Sequence, residues 1–119
     1  DIIGFNIAAT SDEFKVIVKN LLKEIEGYTG IESELDEEDL MIIDGYPGLG
    51  YALSQKHEVE FIRHFSSSEG IVLDPVYTGK AMYGLFSELK KGNLKDYSNI
   101  LFIHTGGLFG WTEGARSLI

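Results

Sequence analysis

No cysteine occurs anywhere in the chain, which removes disulfides, thiolate nucleophiles and zinc-thiolate sites together and leaves the cytoplasm as the default compartment. Basic residues are scarce: Lys and Arg number 10 against 19 Asp and Glu, for a formal net charge of −9 and a pI near 4.6. A surface this acidic repels phosphate backbones and no basic patch interrupts it, which argues against a nucleic-acid partner. Long apolar runs are missing too, and with them a membrane span. The longest covers only a few residues, far short of the roughly 20 that a membrane-crossing helix needs. No basic stretch ahead of an apolar core marks a signal peptide. The first residue is Asp1 rather than Met, as in a processed or trimmed chain or a piece of something longer.

What the chain does have is apolar material for a core: 44% of its 119 residues are hydrophobic and 12% aromatic. That length supports one domain, and a chain of this size removes roughly 65% of its unfolded surface from water. Disorder of the whole is excluded.

The hydrophobic pattern alternates between two periods. Residues 2–8, IIGFNIA, read as a largely buried strand. Thr10 with Glu13 has capping-box spacing. Beyond it Phe14, Ile17, Val18, Leu21, Leu22 and Ile25 form one apolar helical stripe that Gly27 is expected to stop. Residues 32–39, ESELDEED, read as a solvated acidic loop or helix start, and residues 40–43, LMII, as a second strand covered on both faces. Ser54 can cap a second helix burying Val59, Ile62 and Phe65. Residues 71–73 read as a third strand, and a third helix follows Tyr77 or Thr78 with Met82, Leu85, Phe86 and Leu89 inward and Gly92 as terminator. Residues 100–104 read as a fourth strand, with a last short helix within 108–118. Strands alternating with helices imply an α/β fold, a parallel sheet joined by right-handed crossovers with flanking helices. In such sheets ligands bind beyond the carboxyl ends of the strands, where residues 46–51, 74–79 and 104–107 fall.

Each candidate group also has an ordinary structural role. Asp36, Glu37, Glu38 and Asp39 offer oxygen ligands for a hard cation, but they lack the alternating spacing and central glycine of a calcium loop and read as a solvated face. Gly79-Lys80 lacks the glycine five residues earlier and the Ser or Thr after it that a phosphate loop requires; Asp74 and Ala81 stand there. Lys80 then reads as a solvated lysine in a first helical turn. His57 and His64 belong on the wet side of their helix. His104 is either a hydrogen-bonded core histidine before a tight turn or, beside Thr105, Gly106 and Gly107, part of a ligand site with free backbone N–H groups. Tyr51 and Tyr77 are either half-buried packing residues or phenols able to act as general acid, base or nucleophile. Thr78 is also suited to an N-cap.

Together the segments carry a resemblance that no single motif does. GIVLDPVYTGKAMYGL at 70–85, ILFIHTGGLFG at 100–110, the GFNIA strand and the loop GYPGLGYALS at 45–54 closely resemble the family of 1-aminocyclopropane-1-carboxylate deaminase and D-cysteine desulfhydrase, pyridoxal-phosphate enzymes of the tryptophan synthase β-like fold. The likeness runs nearly end to end and is similar to the C-terminal third of a member, a single partial domain over 1–119. It implies that the lysine holding the cofactor and the loop holding its phosphate lie outside these residues. It also implies that Tyr51 and Tyr77 are active-site tyrosines, that Thr105 faces the pyridine nitrogen with Gly106 beside the cofactor, and that Thr78 stands where ring-opening members carry glutamate and desulfhydrase-like members threonine. A hydroxyl there favours a neutral pyridine and a weaker electron sink, sufficient for β-elimination of hydrosulfide. The resemblance thus implies a lyase or deaminase acting on a small amino acid, with D-cysteine ahead of aminocyclopropane carboxylate. It further implies an inactive isolated chain, partnered by the upstream half of the same enzyme or another copy, in a homodimer. A rival is a receiver-like phosphoacceptor or ligand-binding module using Asp44, although the acidic pair and terminal lysine of that fold are replaced by Ala9-Thr10 and Thr105-Gly106.

Overall fold

A parallel pair of short strands, β1 (Ile3–Phe5) and β2 (Met41–Ile43), lies in register with Ile3 opposite Met41 and Phe5 opposite Ile43. The computed structural model describes residues 1–119, the side chain of Glu37 excepted. Between the strands runs α1 (Ser11–Thr29), started by Thr10, whose hydroxyl accepts from Glu13 N–H while the Glu13 carboxylate accepts from Thr10 N–H. Gly27 sits within this helix, and Gly30 ends it in the left-handed conformation at φ 68°. A glycine inside a helix costs only about 1 kcal/mol, so the stop falls where the backbone needs positive φ.

The apolar stripe of α1 is not buried. Phe14, Val18 and Leu22 line a hollow of about 690 Å³ with Leu40, Met41 and Ile42, while Ile17, Leu21 and Ile25 are about half exposed. In the acidic run, a 3₁₀ turn spans Glu37–Asp39 with Asp36, Glu38 and Asp39 exposed; the Glu37 side chain lies outside the described residues.

The packed core is built lower in the chain, by α2 (Lys56–Glu69) and α3 (Thr78–Lys91). Ile62 and Phe65 of α2 meet Leu73, Met82, Leu85 and Leu94, with Phe61, Phe5 and Trp111 against them. Burying Ile62 and Leu73 contributes about 1.5–3 kcal/mol each. Gln55 rather than Ser54 caps α2, reciprocally with Glu58; the Ser54 hydroxyl is buried without a partner. Phe86 and Leu89 on α3 are about two-fifths exposed rather than inward. His57 and His64 are exposed on α2, and Gly92 ends α3, as their sequence positions indicate.

Residues 71–73 and 100–104 do not form strands. An apolar run becomes a strand only when a neighbour completes its backbone hydrogen bonds about 4.8 Å away, and between β1 and residues 100–103 lies a groove of about 600 Å³. Other bonds fix these segments. The His104 Nε2–H donates to Val72 O at 3.0 Å and Trp111 Nε1–H to Leu73 O at 3.2 Å. Leu101 and Ile103 are left 89% and 74% exposed. A 3₁₀ turn at Leu108–Gly110 and a single-turn helix, α4 (Glu113–Arg116), complete the chain. Among the described residues no helix is long and apolar enough to cross a membrane.

Candidate active site

The turn entering α3 is organised by one buried carboxylate. Asp74, 0% exposed, accepts from Val76 N–H and Tyr77 N–H at Oδ2, each 2.8 Å, and from Thr78 N–H at 2.8 Å and Thr78 O–H at 2.6 Å on Oδ1. Three of those donors are backbone amides, two of them, at 77 and 78, among those a helix start leaves unpaired, and a charged acceptor binds them strongly. The chain is thereby fixed with Tyr77 outward and Thr78 inward. Gly107 presses on the same carboxylate: a Cβ there would stand 2.5 Å from Asp74 Oδ1, and its φ is 92°. The HTGG segment is thus held against the DPVYT turn.

The loop after β2 is pinned at both ends. At its start the Tyr46 hydroxyl donates to Glu88, while the Lys91 ammonium donates to Glu88 at 2.8 Å and to the Tyr46 oxygen at 3.0 Å, and Asn93 Nδ2 donates to Glu88 at 2.5 Å. These bonds, that of Lys91 foremost, hold the Glu88 carboxyl down at about 2 and raise Lys91. At its end Lys80 contradicts the solvated role its position implies: it is 1% exposed, and its ammonium donates to Pro47 O at 2.6 Å and Gly50 O at 2.8 Å. Burial lowers its pKa, against the opposing charge of Glu58.

Directly after Gly50 comes Tyr51, whose hydroxyl is hydrogen-bonded to that of Tyr77, with the rings edge to face at 5.8 Å between centroids. The bond to Tyr51 raises the Tyr77 phenol, reinforced by partial burial and by the charge of Asp74. Tyr77, Thr78 and Thr105 all line the groove beside β1, together with Ile103, Phe102 and Phe5. Tyr51 does not line it and reaches it only through Tyr77.

Two sequence expectations change here. Thr78 spends its only proton on Asp74, so it offers the groove no donor. Thr105, exposed at the groove edge, is the threonine whose hydroxyl can donate. His104 neither ends a strand nor is buried, and its Nδ1 accepts the Gly106 N–H at 3.1 Å, so that amide is not free for a ligand. The missed residues are Asp74 and Lys80. Asp-Pro followed by Thr four residues after the Asp is a readable turn-and-cap pattern, whereas nothing near Lys80 in sequence announces carbonyls 30 and 33 residues away. Asp44 is exposed after β2 and ties it to the segment leaving β1, accepting from Asn6 Nδ2 at 2.6 Å; that bond, with one from Ser11, keeps its carboxyl low.

A family model described as pyridoxal-phosphate dependent enzyme matches residues 7–106. A bifunctional D-cysteine desulfhydrase/1-aminocyclopropane-1-carboxylate deaminase, mitochondrial, from Arabidopsis thaliana is 39% identical over 108 residues, 90% of this chain and 25% of that protein. A D-cysteine desulfhydrase of Salmonella paratyphi C is 36% identical over 107 residues, 90% of this chain and 32% of that one. A crystal structure described as an ACC deaminase homologue aligns at TM-score 0.80 and 35% identity, covering 98% of this chain and 35% of its own. The chain therefore spans a quarter to about a third of the length of these relatives.

Proposed function

This chain belongs to the pyridoxal-phosphate dependent enzyme family, and from that premise we propose that it forms one wall of the active site of a lyase or deaminase acting on a small amino acid, with D-cysteine the favoured substrate. The observation that carries this reading is the Tyr77 phenol, backed by Tyr51, on the same groove as the Thr105 hydroxyl. The relatives are named for D-cysteine desulfhydration and aminocyclopropane carboxylate deamination.

The residues fit the ring edge of the cofactor and not the whole of it. Thr105 supplies a hydroxyl donor, but no lysine lines the groove, and Lys80 is enclosed by backbone carbonyls. The lysine and phosphate loop would come from residues beyond this chain, of the same polypeptide or of a second copy in a dimer, so the chain alone is inactive. When bound, pyridoxal phosphate draws electron density from the substrate α-carbon. Thr105 would donate to the ring nitrogen. With Tyr51 donating to the Tyr77 oxygen, the Tyr77 proton is left for a leaving sulfur or a developing carbanion, and Tyr51 fixes the phenol's direction. Asp74 lies behind Thr78, and the one acidic residue on the groove wall, Asp1, accepts from Tyr97. If the hydroxyl of Thr105 rather than a carboxylate meets the ring nitrogen, the electron sink is weaker, which suits expulsion of hydrosulfide better than cleavage of an unactivated ring bond.

The experiment is a chimera in which this chain replaces the matching third of the Salmonella D-cysteine desulfhydrase. D-cysteine should give sulfide, pyruvate and ammonia, and aminocyclopropane carboxylate little keto acid. Faster turnover of the cyclopropane substrate, or a cofactor-loaded chimera inert toward both, would overturn the proposal. For the isolated chain, borohydride reduction after adding pyridoxal phosphate should leave no lysine labelled stoichiometrically; labelling of one lysine would refute the division of the site.

A further inference from the structure

An ammonium group is costly to bury, by several kcal/mol once removed from water, and position 80 would accept a Met or Leu of similar length at no such cost. Lys80 is nonetheless 1% exposed and directs two of its three donors at carbonyls of one loop, Pro47 O and Gly50 O. That loop has reason to be restrained. It carries glycines at φ 99°, 63° and 127°, at positions 45, 48 and 50, and ordering a backbone residue costs about 1–2 kcal/mol, more for glycine. Ala52, just past Tyr51, is in the left-handed region at φ 58°, a conformation a non-glycine residue holds only under constraint. A Gly50 N–H to Pro47 O bond of 3.1 Å closes the turn, so both carbonyls that Lys80 grips belong to one tight unit ending at Tyr51. On the helix side, Lys80 stands three residues after Tyr77, in the first turn of α3. One rigid segment thus carries one phenol and grips the loop that carries the other.

We infer that Lys80 is a positioning residue: by clamping the Pro47 and Gly50 carbonyls it sets Tyr51 against Tyr77 and so fixes the direction of the Tyr77 hydroxyl. This rests on the proposed use of the two tyrosines. The charge of Glu58 nearby opposes the lowering that burial imposes on the amine, and neither Lys80 nor Glu58 lines the groove wall.

The test reads the phenols directly in the chain as it stands. With tyrosines labelled with ¹³C at Cζ, NMR follows the titration of Tyr77 in wild type, Tyr51→Phe, Lys80→Met and the double variant, with circular dichroism reporting the fold. Tyr51→Phe should move the Tyr77 midpoint down toward that of an ordinary phenol. Lys80→Met should move it down similarly, the double variant no further, and Lys80→Arg should restore part of the shift. A folded Lys80→Met in which Tyr77 titrates as in wild type overturns the clamp while the tyrosine pair stands. If Tyr51→Phe itself leaves Tyr77 unmoved, the pair is wrong and the clamp falls with it. Should Lys80→Met not fold, scalar couplings across the hydrogen bonds from Lys80 ¹⁵Nζ to the ¹³C′ atoms of Pro47 and Gly50 decide in wild type: their presence supports the clamp and their absence overturns it.

Discussion

Replacing Gly79 by Ala and Gly27 by Ala should move stability in opposite directions, although both glycines are helical. At Gly27 an added Cβ meets nothing within 4 Å, so the variant should gain about 0.5–1 kcal/mol from helix propensity and a less flexible unfolded chain. At Gly79 the same Cβ would stand 2.4 Å from Ile62 Cδ1 and 2.5 Å from Asp74 O. Ile62 is fully buried in the core and has little room to turn. The Asp74 carbonyl cannot retreat without lengthening the 2.8 Å bond it accepts from the Gly79 N–H. Overpacking of this kind costs about 1–3 kcal/mol, and the propensity gain in a first turn is too small to reverse it, so a net loss of about 2 kcal/mol is expected. Urea unfolding followed by circular dichroism checks both variants; with m near 1–3 kcal/mol/M, the Gly79→Ala midpoint should fall by about 1 M. A Gly79→Ala midpoint at or above wild type, with unchanged m, would refute the claim that α3 is seated by contact of its bare backbone with Ile62.

Asp74→Ala leaves the buried amides at 76 and 78 and the part-buried one at 77 without their acceptor and should cost about 3 kcal/mol in the same assay; a loss below about 1 kcal/mol would mean that water or another group takes its place. Glu88 titrates at about 2 in the folded chain against an ordinary 4.5, so its contribution is fully present above pH 4.5 and is lost as pH falls through about 2. The gap in melting temperature between wild type and Glu88→Gln should therefore narrow across that window, and a gap constant with pH would exclude the linkage. In the chimera, Tyr77→Phe should lower kcat for D-cysteine by roughly 100-fold or more, as loss of a general acid does, and a tenfold or smaller effect would assign the phenol to packing. Thr105→Val should weaken turnover more than Thr78→Val does once both are corrected for folded fraction, because only Thr105 has a proton to offer the groove.

Local order was readable where it is set locally. The capping box at Thr10 and Glu13, the inward Val59, Ile62 and Phe65, and the left-handed Gly92 all depend on neighbours within one or two turns, and each is in place. The strands are different because pairing is non-local. LMII and IVL are equally apolar, yet residues 41–43 lie beside β1 and pair, while residues 71–73 have no strand within ladder distance and are tied by His104 and Trp111 instead. Apolar runs predict burial or interaction, and only a partner turns them into sheet. The stripe on α1 shows the same limit: its spacing specifies a helix with one apolar face, and the described residues cover only part of that face.

Of the candidate site, the sequence marks the outward residues and not those that hold them. Tyr51, Tyr77 and Thr105 stand in glycine-marked loops where a side chain of that type invites attention, and Tyr51 and Tyr77 do meet. Lys80 and Asp74 carry charges, and charged residues go to water unless they are paired or hydrogen-bonded, so a reading by residue type sends both to the surface. Burial becomes tolerable only through bonds to groups distant in sequence, as for Lys80, or through a sharp local turn that closes on the carboxylate, as for Asp74. Once buried, each does what an apolar residue could not: Asp74 sets where Tyr77 leaves the turn, and Lys80 sets where Tyr51 arrives. The two phenols meet because two charged groups are held in the interior, Asp74 by the amides of its own turn and Lys80 by the carbonyls of the loop before Tyr51.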